Sequence, residues 1–312
     1  MRGYGPVGLP RYFTAMRRLA GLPARPYVGL ERHVLAHLAA AGGRFSSTLE
    51  FSVAVRGGAV FPYRFSYSFP AFGLGESARE AAACLAMLSP FGRGALRVAR
   101  RILGLASPGG PVSQILLGID PLPGLRLKLY LQLRDGRSAD KRELARRVLP
   151  PGASAARGRP WGLLHLIGFD FTANGVGAVK LYFRHDSIPA AELLRRYPRC
   201  DFLRQLLRRE AAAALRDFIE VLRVGPQGLF EPAAELDFGL QANRFDDARL
   251  LAGLSRRASG RRLLGALAEL AAGRRWRPSR VSIPTEGAGK INLYYYLESE
   301  RQAKTSRRAF ST

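Results

Sequence analysis

The sequence predicts an α+β fold: a ten-stranded antiparallel β-barrel with a solvent-accessible polar lumen, surrounded by outer α-helices. Three observations carry it. Strand-like segments come in hairpins, each apolar on one parity only. Amphipathic helical stretches separate the hairpins and need an apolar surface to cover. One hairpin is also restated 50 residues on, "LLGID…LKLYL" at 116–131 becoming "LIGFD…VKLYF" at 166–183, and a fixed period of that size marks a repeated supersecondary unit.

Residues 1–27 carry Pro and Gly repeatedly and read as an irregular arm. A helix is predicted over 28–42, then two strands over 44–57 and 59–69 joined at Gly57-Gly58, a short hairpin signal. In the first, Leu49, Phe51, Val53 and Val55 share one face, and Glu50, Ser52 and Ala54 the other. In the second, Tyr63, Phe65, Tyr67 and Phe69 oppose Arg64, Ser66 and Ser68. Ala and Leu at helix-favouring density predict helices over 76–88 and 94–105. The repeated unit follows. Its strand from 125 alternates Leu125, Leu127, Leu129, Leu131 and Leu133 with Arg126, Lys128, Tyr130, Gln132 and Arg134. After a helix over 139–149, its second copy alternates Val179, Leu181 and Phe183 with Lys180, Tyr182 and Arg184. Helices are predicted over 189–197 and 201–224, a weaker strand pair over 233–240 and 248–254, a helix over 260–273, and a last strand pair over 280–285 and 290–298. The tail, 299–312, is polar, basic and read as flexible.

An open sheet of ten strands leaves exposed edges, which closure removes. With helices outside, the apolar parities point outward to meet them. The cationic, aromatic and acidic parities then line the interior as a chamber. The single barrel domain is expected over 28–298.

Composition narrows the function. The 312 residues include 49 Lys and Arg against 24 Asp and Glu, a formal charge of +25, which points to an anionic partner: nucleic acid, a membrane surface or a phosphorylated small molecule. No apolar run approaches the ~18 residues of a membrane span, and no signal peptide is legible, so a soluble cytoplasmic protein is expected, with no membrane partner. Cys84 and Cys200 have no pairing or zinc spacing. "FDDAR" at 245–249 is not a paired Asp-rich metal motif, and no P-loop is present. His33 and His37 share a helical face but lack a third ligand in sequence; His165 and His185 have no partner spacing either. A nucleic-acid-binding protein is the alternative class for the charge, without a recognisable binding signature to support it.

"LHLIGFDFTANG", the "GID…LKLYL" hairpin and the closing "INLYYYLES" resemble the cyanobactin-type peptide prenyltransferases, of the ABBA or prenyltransferase-barrel fold. The resemblance runs from about residue 44 to 298. It implies transfer of an isoprenyl group, dimethylallyl or geranyl, from its diphosphate to a side chain or terminus of a peptide, usually macrocyclic, with Mg²⁺ assisting through the diphosphate. The family's catalytic glutamate lies in a Leu-Glu pair, followed fourteen residues later by a diphosphate-binding arginine before Phe. "LEFSVAVRGGAVFPYRF" keeps that spacing, so the resemblance assigns these roles to Glu50 and Arg64. Lys128 matches a strand lysine of the second repeat, Tyr182 a tyrosine of the third, and Tyr294, Tyr295 and Tyr296 the closing run. The chain departs at Asn292, where relatives carry a basic residue, and at Lys180, where some carry an acid.

The chemistry fits the parities. Breaking an allylic carbon–oxygen bond leaves a diphosphate and a carbocation, both needing stabilisation without water. Arg64, Lys128, Lys180 and Lys290, with Tyr182, form the expected diphosphate cradle. Tyr130, Tyr294 and Tyr296, on the parity of the cations, are expected to shield the cation, at ~0.5–2 kcal/mol per ring. No metal ligand is assigned to a side chain. The alternative acceptor is a small aromatic molecule. The short tail after the last strand favours an open base that admits a peptide. The acceptor residue, the donor length and forward or reverse attachment stay open.

Overall fold

The computed structural model describes residues 9–25, 27–40, 49–56, 59–69, 73–87, 93–120, 126–150, 153, 159–172, 175–207, 214–230, 235–240, 243, 274–286 and 290–299. The strands are β1 (Leu49–Arg56), β2 (Ala59–Phe61), β3 (Phe65–Ser68), β4 (Val112–Asp120), β5 (Arg126–Leu133), β6 (Leu164–Thr172), β7 (Gly175–Pro189), β8 (Ala214–Val224), β9 (Glu235–Gly239), β10 (Arg274–Pro284) and β11 (Ile291–Ser299). They join in one sheet in the order β11-β10-β9-β8-β7-β6-β5-β4-β3-β1-β2. β11 pairs back onto β1, Phe51 opposite Tyr295 and Val53 opposite Leu293, which closes the barrel.

β2 and β3 correspond to one predicted strand. Ala54 pairs with Phe61 and Phe51 with Phe65, so Pro62, Tyr63 and Arg64 oppose only Ser52 and Val53. That one-residue bulge falls at a proline, which has no N–H for the ladder. The Ser52 amide donates to the Arg64 carbonyl at 2.9 Å, and pairing resumes. The barrel proper therefore has ten strands, as predicted.

The helices are α1 (Leu9–Leu19), α2 (Tyr27–Ala40), α3 (Leu74–Met87), α4 (Arg93–Leu103), α5 (Ser138–Val148), α6 (Ala190–Arg196) and α7 (Asp201–Leu207). The main core lies between the barrel wall and these helices, not inside the barrel. Leu127, Leu129, Leu131, Val179, Leu181 and Phe183 pack there with Ala99, Ile102 and Leu144 of the helices. A second cluster joins Leu193, Leu203 and Leu207 to Phe218, Phe238, Val281 and Leu293. Each such Leu, Ile, Val or Phe side chain contributes about 1.5–3 kcal/mol on burial. The outward parity of the apolar faces is the predicted one. Among the described residues, no helix is long and apolar enough to cross a membrane.

Two expectations are corrected. The supposed irregular arm contains α1, whose Leu9, Tyr12, Phe13 and Met16 are buried in the main core. Their spacing is the helical i, i+3, i+4, i+7 stripe, hidden between Pro- and Gly-rich flanks. α1 is pinned by the buried ion pair of Arg17 with Glu31 (Nη1 to Oε1 2.6 Å) and by the hydrogen bond between the Tyr12 and Tyr295 hydroxyls. Tyr295 thus faces the outer layer, unlike its neighbours. The second correction is the helix over 201–224. Among the described residues of that span, Asp201–Leu207 is helical and Ala214–Val224 is strand β8, paired along β7 from Val179–Val224 to Pro189–Ala214. Ala-rich sequence favours helix, but propensity is a weak prior; Phe218, Ile219, Val221 and Val224 suit a strand with a long partner beside it. The strand expected over 248–254, the helix over 260–273 and the tail from 300 lie outside the described residues.

Candidate active site

Strand alternation and closure bring the second parity of every hairpin to a lumen cavity of about 220 Å³. Its wall includes Glu50, Ser52, Arg64, Ser66, Lys128, Tyr130, Gln132, Tyr182, Asp237, Arg280 and Tyr294. The register sorts these residues into tiers along the barrel axis.

The first tier is cationic and centred on Asp120, which is 3% exposed. Its Oδ1 lies 3.0 Å from Arg64 Nε; its Oδ2 accepts from Lys290 Nζ at 2.9 Å and lies 3.7 Å from Lys128 Nζ. Burial opposes ionisation, but Arg64, Lys128 and Lys290 together outweigh it and hold this carboxyl well below the usual carboxylate range. Arg64 also donates to Asn292 Oδ1 at 2.7 Å, so the departure at Asn292 supplies an acceptor where a second cation would repel. Lys180, the other departure, donates to Glu235 Oε1 at 2.6 Å, and Ser282 Oγ donates to Glu235 Oε2 at 3.4 Å. Burial raises the Glu235 carboxyl, but Lys180 dominates and brings it to about 2. Lys290, by contrast, is pushed down to about 7, by burial first and then by Arg64 and Lys128, with Asp120 only partly offsetting them.

The second tier is aromatic. Tyr130 and Tyr182 meet edge to face with centroids 6.1 Å apart. The repeated Gly-x-Asp element explains their placement. A Cβ on Gly118 would lie 3.1 Å from the Tyr130 ring, and one on Gly168 would lie 3.0 Å from it and 3.1 Å from Tyr182. The glycines thus leave room for rings lying against the strands. Gly118 pairs with Lys128, and Tyr130 with Gly168. Tyr182, expected with the diphosphate ligands, sits in this tier, one inward-facing step along β7 from Lys180.

The third tier is acidic. Glu50 Oε1 accepts from Ser279 Oγ at 2.8 Å. Burial raises its carboxyl, and the hydrogen bonds from Ser279 and Tyr296 and the charge of Arg280 only partly counter this, leaving it at about 7. Tyr296, expected in the prenyl pocket, therefore belongs with Glu50. Beside it Arg280 bridges Asp237 (Nε to Oδ1 2.6 Å) and Asp217 (Nη1 to Oδ2 2.5 Å). Asp217 adopts φ +50°, the left-handed region uncommon for non-glycine residues. The Asp237 carboxyl is raised, by burial and by its acidic neighbours, against the pull of Arg280.

All nine residues singled out in the sequence lie on the barrel's inner parity or, for Lys290, beside it. Asp120, Glu235, Asp237, Ser279 and Arg280 were missed. The Gly-x-Asp repeat was a signal for Asp120 and for Asp170, which pairs with Lys128 across β5 and β6; Glu235 and Arg280 carried none. Asp120 and Glu235 do not suit the role of ligands to a protein-held Mg²⁺. Both oxygens of Asp120 and both of Glu235 already face Arg, Lys or Ser partners, so a dication would have to displace ammonium groups.

No protein-family model and no curated protein sequence matches the chain. Solved structures do. The chain is similar to prenyltransferase PriB in its binary complex with product diphosphate, at 17% identity and TM-score 0.67 over 92% of this chain and 96% of that one. It is similar to 5-dimethylallyltryptophan synthase from Streptomyces coelicolor, at 17% identity and TM-score 0.61 over 93% and 95% of the chains. It is similar also to 6-dimethylallyltryptophan synthase from Micromonospora olivasterospora, in complex with DMASPP and Trp, at 16% identity and TM-score 0.62 over 92% and 96%. At such identities the similarity shows the fold: an α+β, ten-stranded prenyltransferase barrel with outer helices.

Proposed function

We propose that the chain is a prenyltransferase that moves an isoprenyl group from its diphosphate to an electron-rich nucleophile, foremost an aromatic ring such as indole. The observation that supports this best is the tiered lumen: cations at one level, tyrosine faces at the next, and a carboxyl titrating near neutrality beyond them. The diphosphate binds at Arg64, Lys128, Lys180 and Lys290, whose charge is already in place when the allylic C–O bond breaks and the electron pair leaves with the diphosphate. Tyr130, Tyr182 and Tyr294 face the allyl cation and keep water from it. The nucleophile's electron pair forms the new bond to the allyl carbon, and its proton passes to the Glu50 carboxylate. These cations neutralise the leaving group without a protein-bound metal.

A cavity of about 220 Å³ is below the about 300–1,000 Å³ usual for drug-sized ligands, which favours the five-carbon donor over geranyl. A tryptophan-like small molecule and an aromatic side chain of a peptide offer the same ring. Full-length protein is incubated with dimethylallyl or geranyl diphosphate, free tryptophan, and linear and macrocyclic Trp- or Tyr-containing peptides, and adducts are read by mass spectrometry. A five-carbon adduct is expected. An adduct on peptides alone selects the peptide reading, one on free tryptophan alone the small-aromatic reading. No adduct with any pair, with donor binding absent as well, sinks the proposal.

A further inference from the structure

The outer wall carries a second cluster. His33 and His37 lie one turn apart on α2, and α3 supplies the third group that the sequence did not reveal, Glu80. His33 Nε2 lies 3.1 Å and His37 Nε2 3.4 Å from the same oxygen, Glu80 Oε2. All three ligand atoms lie within 4.8 Å of one another. Tetrahedral zinc with bonds of about 2.0–2.1 Å places neighbouring ligand atoms about 3.3 Å apart. The two histidine-to-carboxylate separations, 3.1 and 3.4 Å, match that spacing.

The surroundings hold the ligands in that arrangement. The His37 ring stacks on Tyr67 (centroids 6.1 Å, 18°) and meets Phe69 edge-on at 5.8 Å, while the His33 and His37 rings are 4.2 Å apart. Tyr67 is 1% exposed, and its hydroxyl has no hydrogen-bond partner among the described residues. The three ligand side chains are 23%, 13% and 31% exposed, so an ion can enter from solvent and keep a water as its fourth ligand.

We propose that His33, His37 and Glu80 form a site for one divalent transition-metal ion of the zinc class, which ties α2 to α3 on the outside of the barrel. Imidazole nitrogens with one carboxylate oxygen suit zinc and its neighbours better than Mg²⁺ or Ca²⁺, which prefer all-oxygen shells. The site is independent of prenyl transfer and stands whether or not that reading holds.

The test uses untagged full-length protein, because a histidine tag would supply competing ligands. Zn²⁺ titrated against a chromophoric chelator should bind at one equivalent per chain, and Co²⁺ should give the intense visible bands of a four-coordinate ion. Zn²⁺ should also raise the Tm, since it binds only the folded arrangement. His33→Ala and Glu80→Gln should each weaken Zn²⁺ by more than about 100-fold, beyond the about 10–100-fold of losing an outer partner, and abolish the Co²⁺ bands and the Tm shift. Glu80→Gln keeps a hydrogen-bond acceptor for the imidazoles, so it separates a metal site from a hydrogen-bonded cluster. Were a variant to misfold, the stoichiometry and Co²⁺ spectrum of the wild type still decide. Absence of both in the wild type, or equal binding by wild type and Glu80→Gln, overturns the proposal.

Discussion

The two ends of the lumen are built from the same parity of the same strands, yet their carboxyls shift in opposite directions. At one end Asp120 and Glu235 are held down, because Arg64, Lys128 and Lys290 surround the first and Lys180 bonds the second. At the other end Glu50 and Asp237 are raised, because burial outweighs the pull of Arg280. The ratio of cations to acids decides the outcome, since burial alone raises all four. One end presents fixed positive charge to a polyanion. The other presents a carboxyl whose proton is exchangeable near neutral pH. A chamber that separates charge from a cation needs both.

The largest expected effect breaks the cationic end. Arg64→Ala and Lys128→Ala should each lower turnover by about 10²–10³-fold, the usual cost of one group stabilising developing charge. Acceptor affinity should hold in both. Wild-type turnover in both variants would show that the cradle is wrongly placed.

Next comes the acidic end. Glu50→Gln should cost at least ~10²-fold in single-turnover prenylation, while donor binding is kept. The pH–rate profile of the wild type should rise through about 7 as the Glu50 carboxyl ionises, and that limb should be missing in the variant. The stability sign is the reverse of the rate sign. With a folded-state value of about 7 against the ordinary 4.5 of a glutamate carboxyl, the native state binds more protons between those values, so stability falls as pH rises across that window. Glu50→Gln should therefore have the higher Tm at pH 8 and no such advantage at pH 4. A pH-independent Tm difference would remove Glu50 from this role.

A smaller effect concerns Lys290, held at about 7 by burial and its cationic neighbours. A bound diphosphate favours the ammonium form, so donor binding should take up a proton. Affinity should then fall as pH rises above 7, by up to about tenfold per unit. Calorimetry in buffers of different ionisation enthalpy measures the uptake, and Lys290→Met should abolish it.

The smallest sharpens the tier between the ends. Gly168→Ala places a Cβ 3.0 Å from the Tyr130 ring, an overpacking of about 1–3 kcal/mol. The ring must shift, so the variant should fold, lose a few-fold in turnover and alter the ratio of regioisomeric products. An unchanged product ratio would mean that Tyr130 does not contact the reacting carbons.

The sequence by itself determined which side chains share a face, because alternation is local: Glu50, Arg64, Lys128, Lys180 and the tyrosines were legible from period two and turn signals alone. It also determined that helices cover the apolar parity, and hence the barrel. What it could not determine was the partner of each charge. Lys290 meets Asp120 across 170 residues, Lys180 meets Glu235 across 55, and Arg280 meets Asp237 across 43; these depend on register and closure, which no local period encodes. β8 was misread for the same reason, since its pairing along the long neighbouring strand β7 lies outside any local helical pattern. α1 was legible in its stripe but masked by its flanks. Glu80 completes the His33 and His37 cluster only because two outer helices pack side by side on one wall. Only the tertiary structure set those charges beside one another, and with them the opposite titration of the two ends.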